Sequence, residues 1–545
     1  MTGAAAVATL YTGGEIVTLE AASPRATALA TAGDRIVGVG DVEACRDALR
    51  AAGATDLVEV DLAGRALLPG FIDTHLHPIM LVYFDLNADL RPVRSIAEMQ
   101  RVLRDRAAGL PAGDWLVGLQ LQDEDLAERR LPTRDELDAA CADRPTIVVE
   151  HDGHSASGNT LALAAAGIDS RSPDPAGGRI DRDRDGRPLG PCYETAAQRL
   201  LGAAPSPSLD RLRYGARTTI ARLSACGITS AGVILQTDDE GPAGAAGSLE
   251  SIALQVLLDE VPFSTYAILV GRSVDAAIAA RATPLHDPAA GRKVGGFKIF
   301  SDGTFGSCTA CMHEPFSDRP GERGFLTLEP DEILARMRAA HAAELQICIH
   351  AIGDLAVERC IDLFEQLLRE SPRRDHRHRI EHASIVAPAQ IERLARLGLC
   401  VSTQPLFIHS EKEWLHRRLG AERAKHVYPL RALLDAGVRV GGASDAPVES
   451  LDVLHAIQCC VTREGFEPQQ SLSALEALRL FTIDAARIQF EEAEKGTLAA
   501  GKRADLVVLS ANPLAVAPER IAAIRVLRTV TGGRIVYDAD GAVTR

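Results

Sequence analysis

Between residues 67 and 490 the chain repeats one grammar, a short apolar run followed by a turn and then a helix, and no other feature restricts its fold as much. Runs of this kind are buried on both faces, and connections carrying helices are long enough to return the chain to a parallel neighbour. The candidate strands are ALLPGFIDT, GITSAGVIL, STYAILV, GGFKIFSD, LQICIH, HRIEHAS, LGLCVSTQ and VRVGGASD. Helical periodicity is clearest in DEILARMRAAHAAE before LQICIH and in PAQIERLARLG before LCVSTQ. Eight such units predict an α/β fold, a (β/α)8 TIM-like barrel.

The two ends read differently. GGEIVTL, RATALATAGDRIVGVGD and TDLVEVDLAGRALLPG are short alternating runs punctuated by glycines, and GTLAAGKRADLVVLS and IRVLRTVTGGRIVYDADG repeat the pattern near the C-terminus. Two small β segments bury a face only by packing together, so residues 1-66 plus 491-545 are expected to form a composite β-sandwich beside the barrel of 67-490. The first two barrel strands lie about 150 residues apart, far more than a βα connection requires. Residues 84-205 are therefore read as an inserted α/β subdomain, with helices at SIAEMQRVLRDRAAG and TRDELDAACA, one buried strand at PTIVVE and a hairpin loop at DPAGGRIDRDRDGRPLG.

The balance of 74 acidic against 59 basic residues gives a net charge of −15 and leaves no basic run to track a phosphate backbone. Nucleic acid is excluded as an expected partner. The N-terminus lacks a basic stretch before its apolar residues and no segment has the length of a membrane span, so a cytoplasmic protein without membrane association is expected. The eleven cysteines show no disulfide-framework spacing and are expected to be reduced and mostly buried. Cys308 and Cys311 form a C-x-x-C without a second pair nearby, which disfavours a thiolate zinc site.

In a barrel of this kind the C-terminal strand ends face the active site. The first strand ends in Asp73-Thr74-His75-Leu76-His77, and strand alternation puts His75 and His77 on one face. The fourth carries Lys298 among apolar residues, either in a buried ion pair or as a neutral amine able to take up carbon dioxide as a carbamate. The fifth ends at His350, the sixth at His382 and the eighth at Asp445. Such a mixture of imidazole and carboxylate suits Zn2+, with Mn2+, Fe2+ or Co2+ as alternatives.

The ordered set H-x-H, Lys, His, His, Asp resembles the amidohydrolase superfamily. LPGFIDTHLHP, FKIFSDGTFGS, IHAIGD, RIEHAS, GGASDAPVE and KGTLAAGKRADLVVL resemble more narrowly its amidohydrolase 3 branch, which is YtcJ-like and N-substituted formamide deformylase-like. The similarity runs from about Leu10 to Tyr537. It implies one or two metals and hydrolysis of C-N bonds. Position by position it implies that His75, His77 and Asp445 hold the more buried metal, and that a carbamate on Lys298 bridges to a second metal held by His350 and His382. Asp445 would accept the proton of the attacking water and pass it to the leaving nitrogen. His154, in EHDGHSASGNTLAL, resembles a recurring family histidine that polarises the carbonyl or positions substrate. Trp115, Gln404 and His409 are weaker pocket candidates. The branch often reads G-S-R where this chain has Gly306-Ser307-Cys308, so an arginine is missing.

The expected function is thus hydrolysis of a small-molecule amide by metal-activated water, with a homodimer as the default oligomer. The rivals are a metal-dependent deaminase, a cyclic-amide or lactone hydrolase, and, from another class, a catalytically silent barrel that binds or regulates. Acylated amines, formamides, cyclic ureides and N-acyl amino acids all remain open as substrates.

Overall fold

In the computed structural model, residues 8–541 are described, apart from 55, 112, 151–154, 177, 206, 239–249, 251–252, 255–257 and 259–262. The chain divides into two compact units, Met1–Ile79 together with Thr219–Arg545, and Met80–Thr218.

The larger unit is built on an eight-stranded parallel sheet. Numbering its strands alone, they are β1 (Phe71–Leu76), β2 (Ile228–Gln236), β3 (Ser264–Val270), β4 (Arg292–Phe300), β5 (Gln346–Ala351), β6 (Arg379–His382), β7 (Cys400–Thr403) and β8 (Arg439–Gly442). Each pairs in parallel with the next in chain order. The ends of β8 and β1 are joined by backbone bonds from Asp445 N to His75 O, 2.8 Å, and from His77 N to Ala446 O, 2.9 Å. That brings the first and last strands together as a (β/α)8 barrel. Helix Pro388–Leu397 shows how local sequence sets the connections: Pro388 begins it, and Gly398 ends it in the left-handed region at φ 69°.

The expected single strand ALLPGFIDT is two strands in different sheets. Ala66–Pro69 pairs antiparallel with Leu506–Leu509, and the barrel begins after Gly70. A Cβ on Gly70 would lie 2.3 Å from Thr229 Oγ1, so only glycine lets the backbone cross here. Strands from both termini share a six-stranded sheet, and a four-stranded sheet of N-terminal strands faces it. Tyr11 and Leu29 from the smaller sheet pack in one core with Leu67, Leu506 and Val508 from the larger.

The second unit carries a six-stranded sheet, not the single strand expected at PTIVVE. Thr146–Glu150 is one member; Gly178–Arg182 and Pro188–Glu194 form its antiparallel edge hairpin. Leu116–Leu121 is an apolar strand outside that expectation, while Ser155–Gly158 and Ala88–Asp89 are short or rich in small residues, which a search for apolar runs passes over. Trp115 is partly buried and packs against the core of this unit. Among the described residues, no helix is long and apolar enough to cross a membrane.

Candidate metal centre

His75, His77, Lys298, His350, His382 and Asp445 line one cavity of about 390 Å³ at the C-terminal ends of the strands. Lys298 enters by alternation: it shares a face of β4 with Phe300, while Ile299 points the other way. His382 and Asp445 enter through strained backbone, with φ of 70° and 59°. Left-handed geometry costs a non-glycine residue roughly 1 kcal/mol or more, and it tends to persist where a side chain must be aimed.

Each aimed group is held from behind. The Nδ1 of His75 donates to Glu381 Oε2 at 2.7 Å, which leaves its Nε2 unprotonated in the neutral ring. Glu381 also accepts from Nε of the fully buried Arg379, whose Nη2 donates to Thr74 O at 3.0 Å. Burial alone would raise the Glu381 carboxyl, but Arg379 and His75 outweigh it and hold it well below the usual range. His382 Nδ1 donates to Gln404 Oε1 at 2.9 Å. His350 Nε2 donates to Gly303 O at 3.1 Å, which turns its Nδ1 lone pair elsewhere. Asp73 stands below the pair of strand ends, accepting from His75 N at 3.0 Å and Ser444 N at 3.1 Å.

Burial, with Lys298 adding to it, lowers the pKa of His75 to about 4 and that of His350 to about 3. Both are therefore neutral near pH 7 and present lone pairs. Burial pushes the Asp445 carboxyl up, yet the facing histidines hold it well below the carboxylate range. Its Oδ1 is buried and accepts no hydrogen bond among the described residues, although His75 Nε2 stands 3.3 Å away and His77 Nε2 3.2 Å away. An acceptor oxygen opposite the unprotonated Nε2 of His75 is unfavourable unless a cation lies between them. Two tetrahedral ligands about 2.0–2.1 Å from one ion stand about 3.3–3.4 Å apart, which is the separation found here. His75, His382 and Asp445 together place ligand atoms within 4.8 Å of one another. The residues present fit a divalent metal.

Lys298 is buried, and burial lowers its pKa. Its Nζ lies 3.5 Å from His75 Nε2 and 5.1 Å from the centre of the Phe300 ring. Among the described residues it makes no ion pair, so the buried-salt-bridge reading is not the observed arrangement.

His154 lies outside the described residues. Gln404 contacts the site through His382, whereas His409 turns away and donates from Nδ1 to the Glu464 carboxylate at 2.9 Å. His409, His455 and Glu464 form a second cluster of ligand types, but Lys412 Nζ sits 2.6 Å from Glu464 Oε2 and already supplies its cation. All eleven cysteines are free, and Arg418 Nη1 rests 2.7 Å from Cys308 Sγ. Sequence reasoning missed Glu381, Asp73 and Tyr428. Glu381 and Asp73 each sit within two residues of a singled-out histidine on the same strand, a signal that was present; Tyr428 reaches the cavity from a loop and offered none.

A family model described as amidohydrolase family matches residues 58–537. YtcJ of Bacillus subtilis is 30% identical over 539 residues, covering 97% of this chain and 99% of its own. The N-substituted formamide deformylase of Arthrobacter pascens is 29% identical over 543 residues, covering 96% and 97%. Among solved structures, an uncharacterized metal-dependent hydrolase from Pyrococcus furiosus is similar with a TM-score of 0.75 at 26% identity, covering 93% of this chain and 100% of that one.

Proposed function

The chain belongs to the amidohydrolase family, and from that premise we propose that it hydrolyses the C-N bond of a small-molecule amide with water activated by divalent metal. The observation that carries the reading is the orphaned Oδ1 of Asp445 facing two imidazole nitrogens at 3.2 and 3.3 Å. A metal bound there lowers the pKa of a water towards neutrality and polarises the scissile carbonyl. The names of the formamide deformylase and of the metal-dependent hydrolase among its relatives support the same chemistry.

His75, His77 and Asp445 would hold the first metal, with Zn2+ the best match to two imidazoles and a carboxylate. Lys298, as a neutral amine, would add to carbon dioxide through Nζ and lose one proton to form a carbamate; His350 and His382 would hold a second metal beside it. Asp445, kept ionised, takes the proton from the attacking water and returns it to the leaving nitrogen. Glu381 and Gln404 fix the tautomers of His75 and His382 so that neither ring swings as charge develops. His154 enters through the sequence resemblance as a group that polarises the carbonyl.

The test is amine release from a panel of N-formyl and N-acyl amines by the metal-loaded enzyme. The Asp445→Asn variant is expected to fold and to lose about a thousandfold in kcat, within the range of about 10²–10⁴ usual for loss of one general base. Near-wild-type turnover in that variant would remove Asp445 from the proton transfer. Release of ammonia from a ring amine, with no amide cleaved, would favour a deaminase instead.

A further inference from the structure

The cavity above the ligand set has an unequal charge lining. Two carboxyl groups face it besides Asp445, Glu411 and Glu449. Lys298, at the candidate metal centre, is its one cationic side chain among the described residues. The arginine missing from Gly306-Ser307-Cys308 is not replaced as a pocket cation. Arg418 does reach this loop, but it donates to Phe305 O and to Gly306 O at 3.1 Å, and Asp318 holds its Nε at 3.0 Å. Arg418 does not line the cavity.

Glu411 lines the cavity, and its Oε2 accepts from the buried Tyr428 hydroxyl at 2.6 Å, whereas its Oε1 accepts no hydrogen bond among the described residues. Glu449 has no cationic partner among the described residues; its one hydrogen bond is a long one from Ser450 N, 3.4 Å. Burial pushes the Glu411 carboxyl up to about 8, and Glu449 adds to the rise. An ammonium between them would relieve both. Phe300, Phe305, Phe407 and Ile352 line the same cavity, and the Phe407 ring stands between its two ends, 6.4 Å from the His382 ring and 6.3 Å from that of Tyr428.

Resting on the amidohydrolase reading, we propose that the pocket takes an amide with an apolar or aromatic spacer and a protonated amine at its far end, seated at Glu411 and Glu449. It rejects amides that end in a carboxylate. N-acyl amino acids with a free carboxylate are thereby disfavoured: a carboxylate would be desolvated beside two acidic groups, and the one lining cation among the described residues, Lys298, lies at the candidate metal centre.

The proposal is tested with three formamides on one phenethyl scaffold, whose ring carries an aminomethyl group, a methyl group or a carboxylate. With the metal-loaded full chain, kcat/KM for the aminomethyl compound should exceed that for the carboxylate by about tenfold or more, the size of one charge-assisted hydrogen bond. In the Glu411→Gln, Glu449→Gln double variant, the ratio of aminomethyl to methyl compound should fall by about tenfold. A carboxylate cleaved as well as the amine, or a ratio unmoved in the double variant, overturns the proposal. If none of the three is cleaved, the amide reading fails, and calorimetric binding of the same compounds decides the charge preference separately. Tighter binding of the aminomethyl compound supports it, and equal or tighter binding of the carboxylate overturns it.

Discussion

Replacing Glu381 with glutamine should separate what holds the barrel together from what prepares its ligands. Glu381 is fully buried and uses both oxygens, one on Arg379 Nε and one on His75 Nδ1 at 2.7 Å. Glutamine keeps a single acceptor oxygen and carries no charge. Either Arg379 or His75 then loses its acceptor, and the guanidinium, whose Nη1 already lacks a hydrogen bond, is left as a buried cation. Breaking such a pair costs about 3–5 kcal/mol. Loss of the group that orients a ligand histidine typically weakens metal affinity by about 10–100-fold.

Urea unfolding of the metal-free protein reads the first effect, and competition against a chelator reads the second. The double variant Arg379→Met, Glu381→Met removes both charges, so most of the stability should return. Metal affinity should not, because His75 still lacks its acceptor. Glu381→Gln with stability within about 1 kcal/mol of wild type and affinity within about threefold would refute the reasoning. Recovery of affinity in the double methionine variant would refute the claim that Glu381 acts through His75.

On the proposed Lys298 carbamate between two metals, Lys298→Met should bind one ion per chain fewer than wild type and abolish incorporation of isotopically labelled bicarbonate; an unchanged metal count would reduce Lys298 to a packing residue. Glu411 has a folded pKa of about 8 against an ordinary 4.5, so the folded state holds a proton that the unfolded chain has lost, and stability falls as pH rises through that window. The melting temperature of Glu411→Gln should therefore gain on wild type between about pH 4.5 and 8, and a constant difference would contradict the assignment. A Cβ on Gly442 would stand 2.6 Å from the Phe481 ring, so Gly442→Ala should cost about 1–3 kcal/mol by overpacking, read by denaturant midpoint.

Strand-and-helix alternation was enough to set out the barrel, because residues buried on both faces must be apolar and their helices must carry a stripe. The ligand-type residues were legible for a related reason: strand ends in a barrel converge, so His75, His350, His382 and Asp445 had to meet if the strands were right. Where reading failed, it failed by geometry. Nothing local marks Gly70 as the point where the chain leaves one sheet for another; that depends on Thr229 standing 2.3 Å from where a Cβ would be. The small-residue strands of Met80–Thr218 carried no apolar signal.

The sequence by itself determined the fold class and the candidate ligand types, because both follow from periodicity and from which residues end each strand. Only the tertiary structure decided how those ligands are prepared and what surrounds them. Glu381 lies 306 positions from His75, and Tyr428 comes from a loop with φ at 46° to face Glu411. Hydrogen bonds of about 3 Å between residues so distant in sequence are fixed by packing, and no spacing along the chain encodes them.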